Sequence, residues 1–120
     1  MSGFSPMTRE LIIERAGQCC ERCYRYARGG SIHHRRPRGM GGSRRPETNA
    51  ASNGVLLCDG PAAADGQGGC HRWVENHRTE ALELGLLVPQ GHNPRTTPVQ
   101  LHVGLVYLTD DGMYEHEEPT

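Results

Sequence analysis

The chain has 120 residues, 13 basic and 14 acidic side chains, and a formal net charge of −1, which fits one domain. One Phe and one Trp stand against 16 Gly and 8 Pro, so the apolar core is thin for an ordering entropy of roughly 1.5 kcal/mol per residue. No apolar run approaches the roughly 18 residues that cross a bilayer. The opening MSGFSPMTREL has no basic segment followed by an apolar stretch, so a secretory signal is not expected and a cytoplasmic location is. Residues 8–18, TRELIIERAGQ, read as a helix with Leu11, Ile12 and Ala16 on one face. Either Ser5 ahead of Pro6, or Thr8, serves as its cap, and Gly17 ends it. A knuckle at Cys20–Cys23 follows, then a short strand at Ser31–Arg35. Residues 36–52 form a Gly, Pro, Arg and Asn loop. A second strand covers Gly54–Cys58, and DGPAAADGQGG is an insert. One helix runs from Cys70 to about Leu84 with Gly85 just past its end. Residues 99–108 read as a strand, Asp111-Gly112 as a turn and Met113–Glu115 as a short returning strand.

Charge is unevenly placed. Every basic residue is Arg, and eight of them lie between Arg22 and Arg45 with no carboxylate among them. The tail carries Asp110, Asp111, Glu115, Glu117 and Glu118 with no base. A guanidinium block suits an anionic partner, phosphate in particular. The plainer alternative is a solvated charged loop.

The five cysteines are the candidate staple. In a reducing compartment they hold metal more often than they form disulfides. Cys20 and Cys23 have zinc spacing; Cys58 and Cys70 make a second pair across an eleven-residue gap. Four thiolates satisfy tetrahedral Zn²⁺, and such a site couples roughly 10–16 kcal/mol of binding to folding. Cys58 could instead be an ordinary buried thiol. Cys19 reads as a spare, with a Cys19 and Cys23 pair as the less regular alternative.

His33 and His34 are adjacent on the first strand, so they point to opposite sides and have different tasks. His71 and Glu75 are four residues apart on one helix face and can grip one cation; a solvated Glu75 is the plainer alternative. His77 falls about 120° away, on the side of Trp73, Val74, Ala81 and Leu84, where a core or supporting histidine is expected.

These residues carry a resemblance. The run CERC…IHHRRPRGMGGS…NGVLLC…GCHRWVENH, from Cys20 to His77, resembles the HNH endonucleases. GLLVP at 85–89 and the VYLTDDG tail look like small HNH proteins encoded by actinobacterial phages. The resemblance implies an α+β fold: a ββα-metal (His-Me finger) unit with an N-terminal helix, a four-cysteine zinc knuckle pair and a β-rich C-terminal tail. It implies one nuclease domain over 1–120, with its core at about 8–85 and a C-terminal extension at 86–120 holding a β-hairpin. His33 would be a metal ligand, His34 the general base, Asn53 the residue that orients the base, and His71 a second metal ligand. Many relatives have a histidine where this chain has Glu75, which leaves the third ligand open. The eleven-residue gap is longer than the family's usual two.

The implied chemistry is phosphodiester hydrolysis. Neutral His34 takes a proton from water. A divalent ion (Mg²⁺, Mn²⁺, Ni²⁺ or Zn²⁺) on His33, His71 and Glu75 acts as Lewis acid. Arg35, Arg36, Arg38 and Arg72 hold flanking phosphates with little sequence preference. The backbone amides of the Gly39–Ser43 loop could approach DNA closely, or the loop is simply flexible. The resemblance further suggests phage genome packaging beside a terminase or portal, in the infected host's cytoplasm, with restriction, repair or homing as runners-up. The competing expectation is a non-catalytic zinc module that binds DNA or a packaging partner.

Overall fold

The computed structural model describes residues 3–37, 46–60 and 68–119. Helix α1 spans Pro6–Arg15. Ser5 caps it by accepting the Thr8 amide, with Pro6 in the first turn. The helix therefore begins and ends earlier than the expected 8–18. Strand β1 (Ser31–His34) pairs antiparallel with β2 (Gly54–Leu57), Ser31 facing Leu57 and His34 facing Gly54. Two 3-10 turns, Pro46–Asn49 and Ala51–Asn53, lead into β2. The Gly39–Ser43 loop and Arg38 lie outside the described residues.

β2 is buried along its whole length, as three consecutive apolar residues predict. It packs against both α1 and helix α2, Gly69–Asn76. Gly54 permits the α1 contact: a Cβ there would lie 2.5 Å from Ile12 and 2.9 Å from Phe4.

The single helix expected over 70–84 is two helices. Helix α3 spans Arg78–Glu83, and His77 between them has φ −131° and ψ 56°. The His77 ring Nδ1 takes the Trp73 carbonyl at 2.9 Å, the group its own amide would otherwise use, and stacks on the Trp73 indole. His77 is exposed, which corrects the expected place in the core.

Gly85 ends α3 at φ +77°. Its amide bonds the Leu82 carbonyl at 3.2 Å, and the next amide, Leu86, bonds Ala81 at 2.9 Å; this pattern satisfies the last orphan carbonyls. A Cβ on Gly85 would sit 1.9 Å from the Pro98 carbonyl oxygen. Gly85→Ala is therefore expected to cost at least about 2 kcal/mol, left-handed strain plus backbone displacement. An unchanged urea midpoint would refute this.

The strand expected over 99–108 is a hairpin. Strand β3 (Val99–Leu101) turns at His102–Val103 into β4 (Gly104–Leu108), and β5 (Tyr114–Glu115) adds to its far edge. Gly104 at φ +119° accommodates the tight turn. Leu86, Leu87, Val99, Leu101, Val106 and Leu108 share one buried cluster with Ile12, Val55, Leu57 and Val74. The C-terminal segment thus supplies part of the core.

Buried charged side chains join these elements. Arg15 and Glu21 form a two-pronged ion pair at 2.8 and 2.8 Å, 1% and 0% exposed. Arg35 is also 0% exposed. Its guanidinium donates to the carbonyls of Gly85, Ser52, Pro94 and Thr97 at 2.8–2.9 Å. Burial is the main cause lowering its pKa, to about 9, so the charge persists at neutral pH. Among the described residues no helix is long and apolar enough to cross a membrane.

Candidate metal centre and histidine site

The knuckle forms where α1 has ended and the chain reverses. Cys20 accepts the Cys23 amide on its sulfur at 3.4 Å, and the Tyr24 amide closes onto the Cys20 carbonyl at 2.8 Å. Tyr24 adopts φ +69° to do so, a left-handed backbone that costs a non-glycine residue about 1 kcal/mol. The second pair comes from the end of β2 and the start of α2. The Cys70 amide donates to the Cys58 sulfur at 3.3 Å, and the His71 amide to the Cys58 carbonyl at 3.1 Å. The eleven-residue gap is closed by tertiary contact.

Cys20, Cys23, Cys58 and Cys70 have their sulfurs all within 4.8 Å of one another. The Cys23 and Cys58 sulfurs are 3.7 Å apart, close to the edge of about 3.8 Å for a tetrahedron with 2.3 Å zinc–sulfur bonds. Cys20 has its pKa lowered to about 4, chiefly by the hydrogen bond from the Cys70 thiol and against the effect of burial. Cys70 is pushed up by the same bond and by burial, and Cys58 is raised by burial. Three amide or guanidinium donors are aimed at the cage sulfurs. Arg22 supplies the guanidinium, 3.3 Å from the Cys70 sulfur and 3.9 Å above the Trp73 ring. These four residues fit a structural metal such as zinc. Cys19, half-buried, is not among them.

The histidines diverge as strand alternation predicts. His33 is 8% exposed and bonds through Nε2 to the Leu86 carbonyl at 2.8 Å. Its ring meets the His71 ring edge-on, centroids 5.7 Å apart. Burial lowers its pKa to about 4, so it is neutral at pH 7. His34 faces elsewhere. It stacks on Phe4 at 4.2 Å and holds the Asn49 side-chain oxygen through Nε2 at 2.9 Å.

Asn53 sits at the end of the 3-10 turn before β2, fully buried. Its side chain bonds to backbone rather than to the His34 ring. The oxygen accepts the Arg36 amide at 2.7 Å, and the nitrogen donates to the Arg36 and Thr48 carbonyls at 3.0 and 2.8 Å. The Asn53 carbonyl also accepts the Arg35 amide at 2.8 Å. Asn53 thus holds the chain just after His34.

His71 lies on α2 with Nδ1 3.1 Å from Asp59 and Nε2 3.6 Å from Glu75, whose side chain is 61% exposed. Burial alone would raise the Asp59 pKa, but hydrogen bonds from the Ser31 hydroxyl, His71 and the Gly60 amide outweigh it and lower it. Among the described residues, only the four cysteines gather three or more ligand atoms at metal-binding distance.

Two arginines require correction. Arg35 and Arg36 are 0% and 2% exposed. Arg35 spends its donors on carbonyls, and Arg36 bonds the His92 carbonyl at 2.8 Å and pairs with Glu47 at 3.1 Å. Both hold the interior together, so neither reaches flanking phosphates. Arg72 is exposed on α2. Sequence reasoning missed Asp59, Asn49, Phe4, Arg22 and Glu21. Asp59 and Glu21 carried a signal, since each directly follows a cage cysteine. Comparison with protein-family models, with curated proteins and with solved structures returns no match.

Proposed function

We propose that the chain is a metal-dependent endonuclease of the HNH kind, hydrolysing DNA phosphodiester bonds with little sequence preference. One observation carries the reading. In a β-β-α run, the His33 ring on β1 lies 5.7 Å from the His71 ring on α2, with His34 next along the strand. Each ring of that pair has one nitrogen engaged by a protein oxygen, leaving one nitrogen per ring with ligand chemistry.

Two imidazole nitrogens and the nearby Glu75 suit a cation that keeps water and substrate oxygens in its other positions. Such an ion, when bound, would stabilise charge on the phosphoryl and leaving 3′ oxygens. His34 would receive the proton of the attacking water. Its Nε2 holds a proton against the Asn49 oxygen, so Nδ1 is the basic nitrogen. Phe4 keeps the ring from rotating, and Asn53 fixes the backbone beyond it. Arg72 and the exposed Arg25 and Arg28 would meet phosphates, so binding should weaken with salt. Phage DNA packaging beside a terminase is the setting this reading carries with it.

The test is plasmid cleavage with Mg²⁺, Mn²⁺ or Ni²⁺. His34→Ala is expected to lose about 10²–10⁴ in rate while keeping its circular dichroism and its cage metal. Equal cutting by both proteins would remove His34 as the base. The second reading is a non-catalytic, cysteine-caged DNA-binding module, favoured by the cysteines being the one set gathered at metal distance among the described residues. It predicts gel retardation without cleavage under every metal.

A further inference from the structure

Asp59 has no role in the chemistry above, yet both of its oxygens are engaged. Oδ1 accepts the Gly60 amide at 2.8 Å. Oδ2 accepts the Ser31 hydroxyl and faces His71 Nδ1 at 3.1 Å. An ionised carboxylate only accepts hydrogen bonds, so His71 Nδ1 must be the protonated nitrogen. In the neutral ring the lone pair then belongs to Nε2, the nitrogen 3.6 Å from Glu75 Oε1. His33 is set the opposite way. A backbone carbonyl also only accepts, so the Leu86 bond puts the His33 proton on Nε2 and its lone pair on Nδ1.

The placement of Asp59 follows from the cage. Asp59 comes directly after Cys58, and His71 directly after Cys70. The His71 amide is tied to the Cys58 carbonyl at 3.1 Å. The four-sulfur cluster thus fixes both members of the Asp59–His71 pair, and Ser31 anchors the carboxylate to the start of β1.

We propose that Asp59 is a positioning residue: it locks His71 in its Nδ1-protonated form and so presents Nε2, with Glu75 beside it, to a divalent cation. The cation rests on the nuclease reading above; the proton's location does not. A supporting carboxylate of this kind typically governs metal affinity by 10- to 100-fold, because it fixes the ligand ring and raises its basicity.

The experiment uses the full chain with its cage metal in place. Long-range proton–nitrogen correlation at about pH 8, above the ordinary imidazole range, reads which nitrogen of each ring carries the proton. His71 is expected to be protonated on Nδ1 and His33 on Nε2. In Asp59→Asn the His71 proton is expected to shift toward Nε2, and Mn²⁺ affinity, read from broadening of the His71 resonances, to fall about 10- to 100-fold. Cobalt–thiolate absorption of the cage should be the same in both proteins, which excludes misfolding as the cause. Ser31→Ala, which keeps the carboxylate, should retain the His71 form. If Asp59→Asn changes neither the His71 proton nor Mn²⁺ affinity while the parent protein still cuts DNA, the positioning role is overturned and the nuclease reading stands. If the parent neither binds Mn²⁺ at His71 nor cuts, the nuclease reading falls and takes the proposal with it.

Discussion

Removing the metal from the four-cysteine cage is expected to unfold the protein. The cage joins three segments: the knuckle after α1, the end of β2 and the start of α2. A structural zinc site contributes roughly 10–16 kcal/mol of apparent binding free energy, and a domain of this size has a net stability of only about 5–15 kcal/mol. Loss of the first exceeds most of the second. The metal-depleted chain should therefore show no cooperative thermal transition, and Zn²⁺ should restore it. Cys58→Ser and Cys70→Ser should each behave like the depleted protein. Cys19→Ser should not, because Cys19 stands outside the ligand set. Elemental analysis should give one zinc per chain in both the parent and the Cys19 variant. Cobalt in its place should show strong thiolate charge-transfer absorption. A chain that melts at the same temperature with and without chelator would remove the cage from its structural role.

Glu21→Ala is expected to cost about 3–5 kcal/mol, the penalty for stranding a buried partner charge. Glu21 lies between two cage cysteines and is 0% exposed. Its carboxylate takes both prongs of Arg15, the Leu56 amide at 2.8 Å and the Tyr114 hydroxyl at 2.7 Å. Arg15 reaches on to the carbonyls of Ala51 and Gly54 at 3.0 and 2.6 Å. Burial opposes the Arg15 charge, but Glu21 outweighs it, and the Arg15 pKa is raised. One ion pair therefore ties α1, the knuckle, β2 and β5 together. Without Glu21 the guanidinium loses its counter-charge in the interior, and an amide and a hydroxyl lose their acceptor. The melting temperature should fall by roughly 10–20 °C. Tyr114→Phe removes one bond to a charged group and should cost less, about 1.5–3 kcal/mol. Arg15→Met with Glu21→Leu should recover part of the loss, because neither charge is then left unpaired. A Glu21→Ala protein within about 0.5 kcal/mol of the parent would contradict this account, since that is the scale of ordinary surface changes.

Local signals were legible wherever chain geometry alone decides. Ser5 followed by Pro6 predicts a helix start, Val55-Leu56-Leu57 a fully buried strand, and Cys20 with Cys23 a ligand knuckle. Adjacent His33 and His34 must diverge on a strand, and they do. Legibility failed where a side chain competes with the backbone or a distant segment supplies the partner. His77 breaks the helix by capturing the Trp73 carbonyl, a choice that helical periodicity does not encode. Residues 99–108 have enough apolar character for one strand, yet Gly104 lets the chain fold back on itself. Arg35 and Arg36 read as solvated phosphate contacts because charged residues are rarely buried. Arg35 is buried because carbonyls from residues 85, 94 and 97, far along the chain, converge on it.

Ligand chemistry and short-range backbone preference are properties of a residue and its neighbours, so the possible metal ligands and the small set of elements that carry them are readable along the chain. Folding in three dimensions brings Cys58 and Cys70 onto Cys20 and Cys23, sets His33 rather than His34 against His71, and gives Asp59 and Glu21 their partners. Those outcomes depend on which distant hydrogen-bonding groups are brought together when apolar surface is buried, and a buried charge is tolerated only where such groups meet it.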